Sequence, residues 1–163
     1  MPGLEDLYRE IILDHYRNPR NRGTLPVPPA LTETGFNPLC GDEVTLYLLV
    51  DGDRLVDLRM TGQGCSISTS SASMMSTAVK GHTVSEARAT IATFKSLMSV
   101  HEQRLATEAD SPVAEGEEVP LGDLEALQGV VKFPVRIKCA TLCWNTLIQA
   151  LDAAAAKDRQ PAV

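Results

Sequence analysis

Residues 43 to 60 limit the possible folds more than any other stretch of this chain. Val44, Leu46, Leu48 and Val50 alternate with mostly polar neighbours, Asp51-Gly52-Asp53 interrupts the run, and Val56, Leu58 and Met60 resume the same period of two. That period sends successive side chains to opposite faces, so the segment reads as an antiparallel hairpin with one apolar face. A lone hairpin is marginal in water, and its apolar face needs a cover. Leu31 to Phe36 reads as a third strand. The rest of the chain supplies helices, and the expected fold class is α+β: a three-stranded antiparallel sheet covered by helices. With 44% hydrophobic residues in 163, residues 1–163 can fill one core and form one domain.

The helices show in the 3.6-residue pattern. Leu4, Leu7, Tyr8, Ile11 and Ile12 predict a helix from Leu4 to about Arg17, closed by Asn18-Pro19. Asn18 to Pro29 reads as an ordered loop. After Thr61-Gly62-Gln63-Gly64, the small-residue run Ser66 to Lys80 predicts a helix stopped by Gly81, with Cys65 at its start and Met74-Met75 in the core. Thr83 to Glu86 forms a possible capping box for a helix whose inward face carries Val84, Ala87, Ile91, Phe94 and Met98. Residues 102 to 125 hold eight acidic side chains and two prolines, and read as an exposed acidic insertion. A last helix is expected from about Cys139 to Ala156.

The start of the chain has no basic stretch followed by an apolar one, and no apolar run approaches a membrane span, so a cytoplasmic protein is expected. A net charge of −6 argues against nucleic acid or an anionic membrane as partner, since both require clustered cations. In a reducing compartment, four cysteines are buried, metal-bound or catalytic before they are paired.

Three of these thiols stand where a metal or a reactive sulfur would be placed. Pro38-Leu39-Cys40-Gly41-Asp42 brackets a glycine between a thiol and a carboxylate. Gly62-Gln63-Gly64-Cys65 delivers a thiol to a helix N-terminus, where free N–H groups stabilise a thiolate. Arg136-Ile137-Lys138-Cys139 reads as an extended approach that brings two cations beside a third thiol. Three thiolates and one carboxylate make a tetrahedral shell suited to zinc or iron. Spacing alone leaves open that they are small buried residues at element ends, because gaps of 24 and 73 residues match no zinc-finger ladder. Cys143, four residues after Cys139, shares its helical face and reads as core beside Trp144. His15 reads as a satisfied, partly buried imidazole, and His82 and His101 as solvated or capping residues.

The segments ILDHYRNPRNRG, NPLCGDEVTLYL, TGQGCSISTSSASMM and VRIKCATLCW together resemble the iron-sulfur cluster assembly family of IscU, SufU and the NifU N-terminal domain. The resemblance covers residues 4 to about 100 and 130 to 152, leaving the acidic segment as an insertion. It implies a SufE/NifU-like α+β fold and a metal or cluster site of Cys40, Asp42, Cys65 and Cys139, with Arg136 and Lys138 beside it. Lys138 stands where IscU-like chains carry histidine, and Lys132-Phe133-Pro134-Val135-Arg136 replaces their chaperone signal, so the SufU branch is the closer match. That branch implies a zinc-dependent, sulfurtransferase-type acceptor, partnered with a pyridoxal-phosphate (PLP) cysteine desulfurase of the SufS kind and with other Suf proteins. The alternative is a scaffold carrying iron or a [2Fe-2S] cluster. Cys40 is the expected acceptor, because it follows Asn37-Pro38 on a loop while Cys65 and Cys139 are held at helix starts.

Overall fold

The computed structural model describes residues 4–27, 29–38, 41–105, 122–132 and 134–159. Along the chain run α1 (Leu4–Arg17), β1 (Leu31–Asn37), β2 (Asp42–Asp51), β3 (Arg54–Gln63), α2 (Ser66–Val79), α3 (Val84–Leu105), a 3-10 segment (Gly122–Lys132) and α4 (Pro134–Arg159). The strands form one antiparallel sheet in the order β1-β2-β3. This is the expected architecture, and α1 has the predicted bounds.

The hairpin departs from simple alternation at one point. Leu49 pairs with Asp57 but Val50 pairs with Leu55, so β3 carries one extra residue there. Such a bulge exchanges the two faces beyond it. Leu55 therefore points into the core at 0% exposure, whereas Val56, expected inside, stands 42% exposed. Leu58 and Met60 resume the inward face, opposite Leu48 and Leu46.

The cover over this face is built from small residues. Ser70, Ser71, Ser73 and Ser76 of α2 are buried, which lets α1 and α4 approach it closely. Their hydroxyls are satisfied: Ser70 donates to the Ile12 carbonyl at 2.7 Å and Ser71 to the Ala140 carbonyl at 2.6 Å. Met74 and Met75 fill the core as expected. The α3 capping box is present, with Glu86 N–H donating to Thr83 Oγ1 at 3.1 Å and Thr83 N–H to Glu86 Oε1 at 3.0 Å. Phe94 of α3 stacks on Trp144 of α4 with ring centroids 4.3 Å apart, a pair contributing roughly 0.5–1.5 kcal/mol beyond its buried area.

The C-terminal half differs from expectation in two ways. First, α4 begins at Pro134, five residues before the expected start, because proline at the first helical position has a φ already suited to a helix and lacks only an N–H that would be unbonded there. Second, a 3-10 segment runs across the end of the stretch expected to be acidic and exposed: Leu124 is buried inside that stretch, and Ala126, Leu127 and Val130 are buried just beyond it. Residues 106–121 of the acidic stretch lie outside the described residues. No helix among the described residues is long and apolar enough to cross a membrane.

Candidate metal centre

Three elements bring the site together. Asp42 opens β2 and is 1% exposed, Cys65 caps the N-terminus of α2, and Cys139 lies in the second turn of α4 with 0% exposure. One ligand atom from each, a carboxylate oxygen and two sulfurs, falls within 4.8 Å of the others. Two sulfurs of a tetrahedral zinc site lie about 3.8 Å apart, as Zn–S bonds near 2.3 Å require. The observed set needs to close by ~1 Å at most, so it fits such an ion. Cys40 lies outside the described residues, in the 38–41 connection between β1 and β2.

The carboxylate is oriented by the backbone. Cys65 N–H donates to Asp42 Oδ1 at 3.0 Å, while Oδ2 faces Cys65 Sγ at 3.8 Å. One oxygen is thus committed to the protein and the other is turned toward the thiols. Gly64 makes this approach possible: a Cβ there would lie 2.9 Å from Asp42 Oδ1 and 3.2 Å from Ser68 Cβ. Between β1 and β2, Gly41 has φ +70 and donates its N–H to the Asn37 carbonyl at 2.9 Å, turning the chain into Asp42.

Cys65 and Cys139 each have a donor. Cys65 Sγ accepts the Ser68 N–H at 3.4 Å, so the N-cap of α2 is a sulfur placed among the free amides of the first turn. Cys139 Sγ lies 4.0 Å from Asn37 Nδ2, a side-chain donor at the inward end of β1. The reading of residues 136–138 as an extended approach is corrected. They form the first turns of α4, with Ile137 buried and Arg136 and Lys138 exposed on either side. Among the described residues neither cation makes an ion pair.

Cys143 does not join the site. It is 2% exposed, its thiol donates to Ser71 Oγ at 3.7 Å, and burial pushes that thiol up to about 12. Ser71 Oγ also accepts Trp144 Nε1–H at 2.9 Å. The thiol stays protonated and belongs to the core. His15 is satisfied, as expected, though fully buried: Nδ1 lies 2.7 Å from Ser73 Oγ and Nε2 3.0 Å from Asp123 Oδ2. His82 is exposed with Nδ1 3.4 Å from Glu86 Oε2, and the side chain of His101 lies outside the described set. Sequence reasoning missed Asn37, whose only signal is a polar amide at an inward strand position.

Comparison with known proteins gives the chain's family. Residues 7–140 match the family model described as NifU-like N terminal domain. The chain is 44% identical over 144 residues to the zinc-dependent sulfurtransferase SufU of Bacillus subtilis (strain 168), covering 88% of each protein. It is 38% identical over 152 residues to the iron-sulfur cluster assembly scaffold protein IscU of Streptococcus pyogenes serotype M1, covering 91% of this chain and 84% of that one. A solved SUF-system scaffold structure from Fervidobacterium islandicum AW-1 superimposes with a TM-score of 0.71 at 35% identity, over 91% of this chain and 99% of its own. The chain belongs to the family of NifU-like N-terminal domains, which is the family of the IscU and SufU iron-sulfur cluster assembly proteins.

Proposed function

We propose that this protein accepts sulfur from the persulfide of a PLP-dependent cysteine desulfurase, at a zinc site of Cys40, Asp42, Cys65 and Cys139, and passes it on for cluster assembly. One observation carries the reading: Asp42, Cys65 and Cys139, far apart in sequence, place their ligand atoms within 4.8 Å in a chain 44% identical to a zinc-dependent sulfurtransferase. Bound zinc would hold the thiols deprotonated at neutral pH.

In this reading the chain's own residues divide the work. Cys40 is the acceptor: its thiolate attacks the terminal sulfur of the partner's persulfide, a new S–S bond forms on Cys40, the old one breaks, and the partner's cysteine leaves as thiolate. Cys65 and Cys139 are tied to α2 and α4, so neither thiol can leave the site without disturbing a packed helix. Asp42, fixed by the Cys65 amide, orients the site. Arg136 and Lys138, exposed and next to Cys139 in sequence, are the cations available to meet a partner in a chain of net charge −6. The protein works in the cytoplasm as one domain over 1–163, with residues of about 102–125 as an acidic insertion, alongside a SufS-type desulfurase and other Suf components.

The relatives named as IscU scaffolds favour a second reading, in which the same four residues hold a [2Fe-2S] cluster. Metal analysis after purification without added metal, together with desulfurase turnover in the presence and absence of the protein, separates the two. Near-stoichiometric zinc and raised turnover support the sulfur acceptor. An iron-sulfur chromophore without zinc supports the scaffold.

A further inference from the structure

We infer that Asn37 is a positioning residue for the metal centre, its side-chain amide holding Cys139 as a fixed, weakly nucleophilic ligand so that transferred sulfur goes to another thiol. The inference rests on the zinc-site reading above.

Three observations carry it. Asn37 is the last residue of β1 and faces inward at 6% exposure, where a strand ordinarily places an apolar side chain. A buried amide needs partners, and its Nδ2 reaches toward Cys139 Sγ at 4.0 Å. The backbone of the same residue closes the turn that precedes Asp42: its carbonyl accepts the Gly41 N–H, and it pairs with Asp42 across the sheet. The side chain cannot drift while that pairing holds.

An N–H donor aimed at a thiolate draws on its negative charge, and a low-dielectric site strengthens the effect. The sulfur then binds a cation well but attacks an electrophile poorly. Cys139 is fully buried and receives a side-chain donor, whereas Cys65 is half-buried and receives a backbone donor from its own helix. Asn37 thus distinguishes two thiols that the ligand set alone treats as equivalent.

The test uses the full chain loaded with cobalt in place of zinc, since the sulfur-to-cobalt absorption reports the electron richness of the thiolates. Asn37→Leu, similar in size and without a donor, should shift that band to longer wavelength. It should also raise the rate at which an alkylating agent labels Cys139 by about tenfold, equivalent to ~1.4 kcal/mol, near the lower end of what a hydrogen bond to a charged group contributes. Should the leucine variant not fold, Asn37→Thr and Asn37→Val differ only by a hydroxyl donor in place of a methyl, and the valine variant alone should show both changes. An unshifted band with unchanged Cys139 labelling overturns the role of Asn37. Wild-type protein that takes up cobalt with no thiolate band overturns the zinc-site reading, and this inference with it.

Discussion

Gly64→Ala leaves every proposed ligand in place yet should loosen the metal, and the structure gives the size of the effect. The added Cβ would lie 2.9 Å from Asp42 Oδ1 and 3.2 Å from Asp42 Cγ and Ser68 Cβ. These are repulsive separations. Ser68 is fixed in the first turn of α2, so the carboxylate has to move. Asp42 is 1% exposed and cannot swing into solvent, so it moves within the site and gives up the Cys65 N–H bond that aims Oδ2 at the thiols. A hydrogen bond to a charged group contributes roughly 1.5–3 kcal/mol. Losing a partner that orients a ligand typically costs roughly 10–100-fold in metal affinity. Zinc affinity, read by competition with a chromophoric chelator, should fall by that factor while the helical circular dichroism stays unchanged. A variant that binds zinc within about threefold of wild type would refute the reasoning, since an energy that small is below any lost charge-assisted bond.

Other residues give further checks. Because of the bulge, Leu55→Ala should destabilise the protein by about 2–5 kcal/mol and Val56→Ala by under ~0.5 kcal/mol in urea unfolding; equal effects would remove the bulge. Ser71→Ala strands the buried Trp144 indole N–H, and should cost ~1–3 kcal/mol in the same assay. Burial raises the Cys143 thiol from 9.0 in the unfolded reference to about 12. A raised pKa means the folded state keeps a proton the unfolded chain releases, so this contribution is fully present below pH ~9 and is lost toward pH ~12. Cys143→Ala should therefore show a shallower fall of melting temperature over that alkaline range than wild type, and parallel curves would contradict the assignment.

Much of the fold was legible because its elements carry unmixed periods. The end residues of α1 and the inward face of α3 follow from helical spacing, and β2 and β3 from alternation on either side of Asp51-Gly52-Asp53. The bulge was not legible, since Leu55 and Val56 are both apolar and only the pairing decides which faces in. The start of α4 was misplaced because Val135 and Ile137 alternate with Arg136 and Lys138, mimicking a strand, while Pro134 carried the helical signal. The 3-10 segment was hidden by the acidic residues around its buried Leu124 and Leu127. Local turn chemistry marked Asp42 and Cys65, and with them Cys40 as a proposed ligand. That Cys139 joins Asp42 and Cys65 is a tertiary fact, which spacing left open and the family resemblance anticipated. Asn37 carried only the weak signal of a polar amide at a strand end, because its partner is 102 residues away.

The proposed function requires sulfur to arrive on Cys40. The direct measurement is to incubate the protein with a PLP-dependent cysteine desulfurase and cysteine, trap persulfides by alkylation, and map the extra sulfur by mass spectrometry in wild type and in each Cys→Ser variant. Added sulfur is expected on Cys40 in wild type, with none on Cys143 and no transfer in Cys40→Ser. Sulfur on Cys139 in wild type, with transfer surviving in Cys40→Ser, would contradict the proposed function.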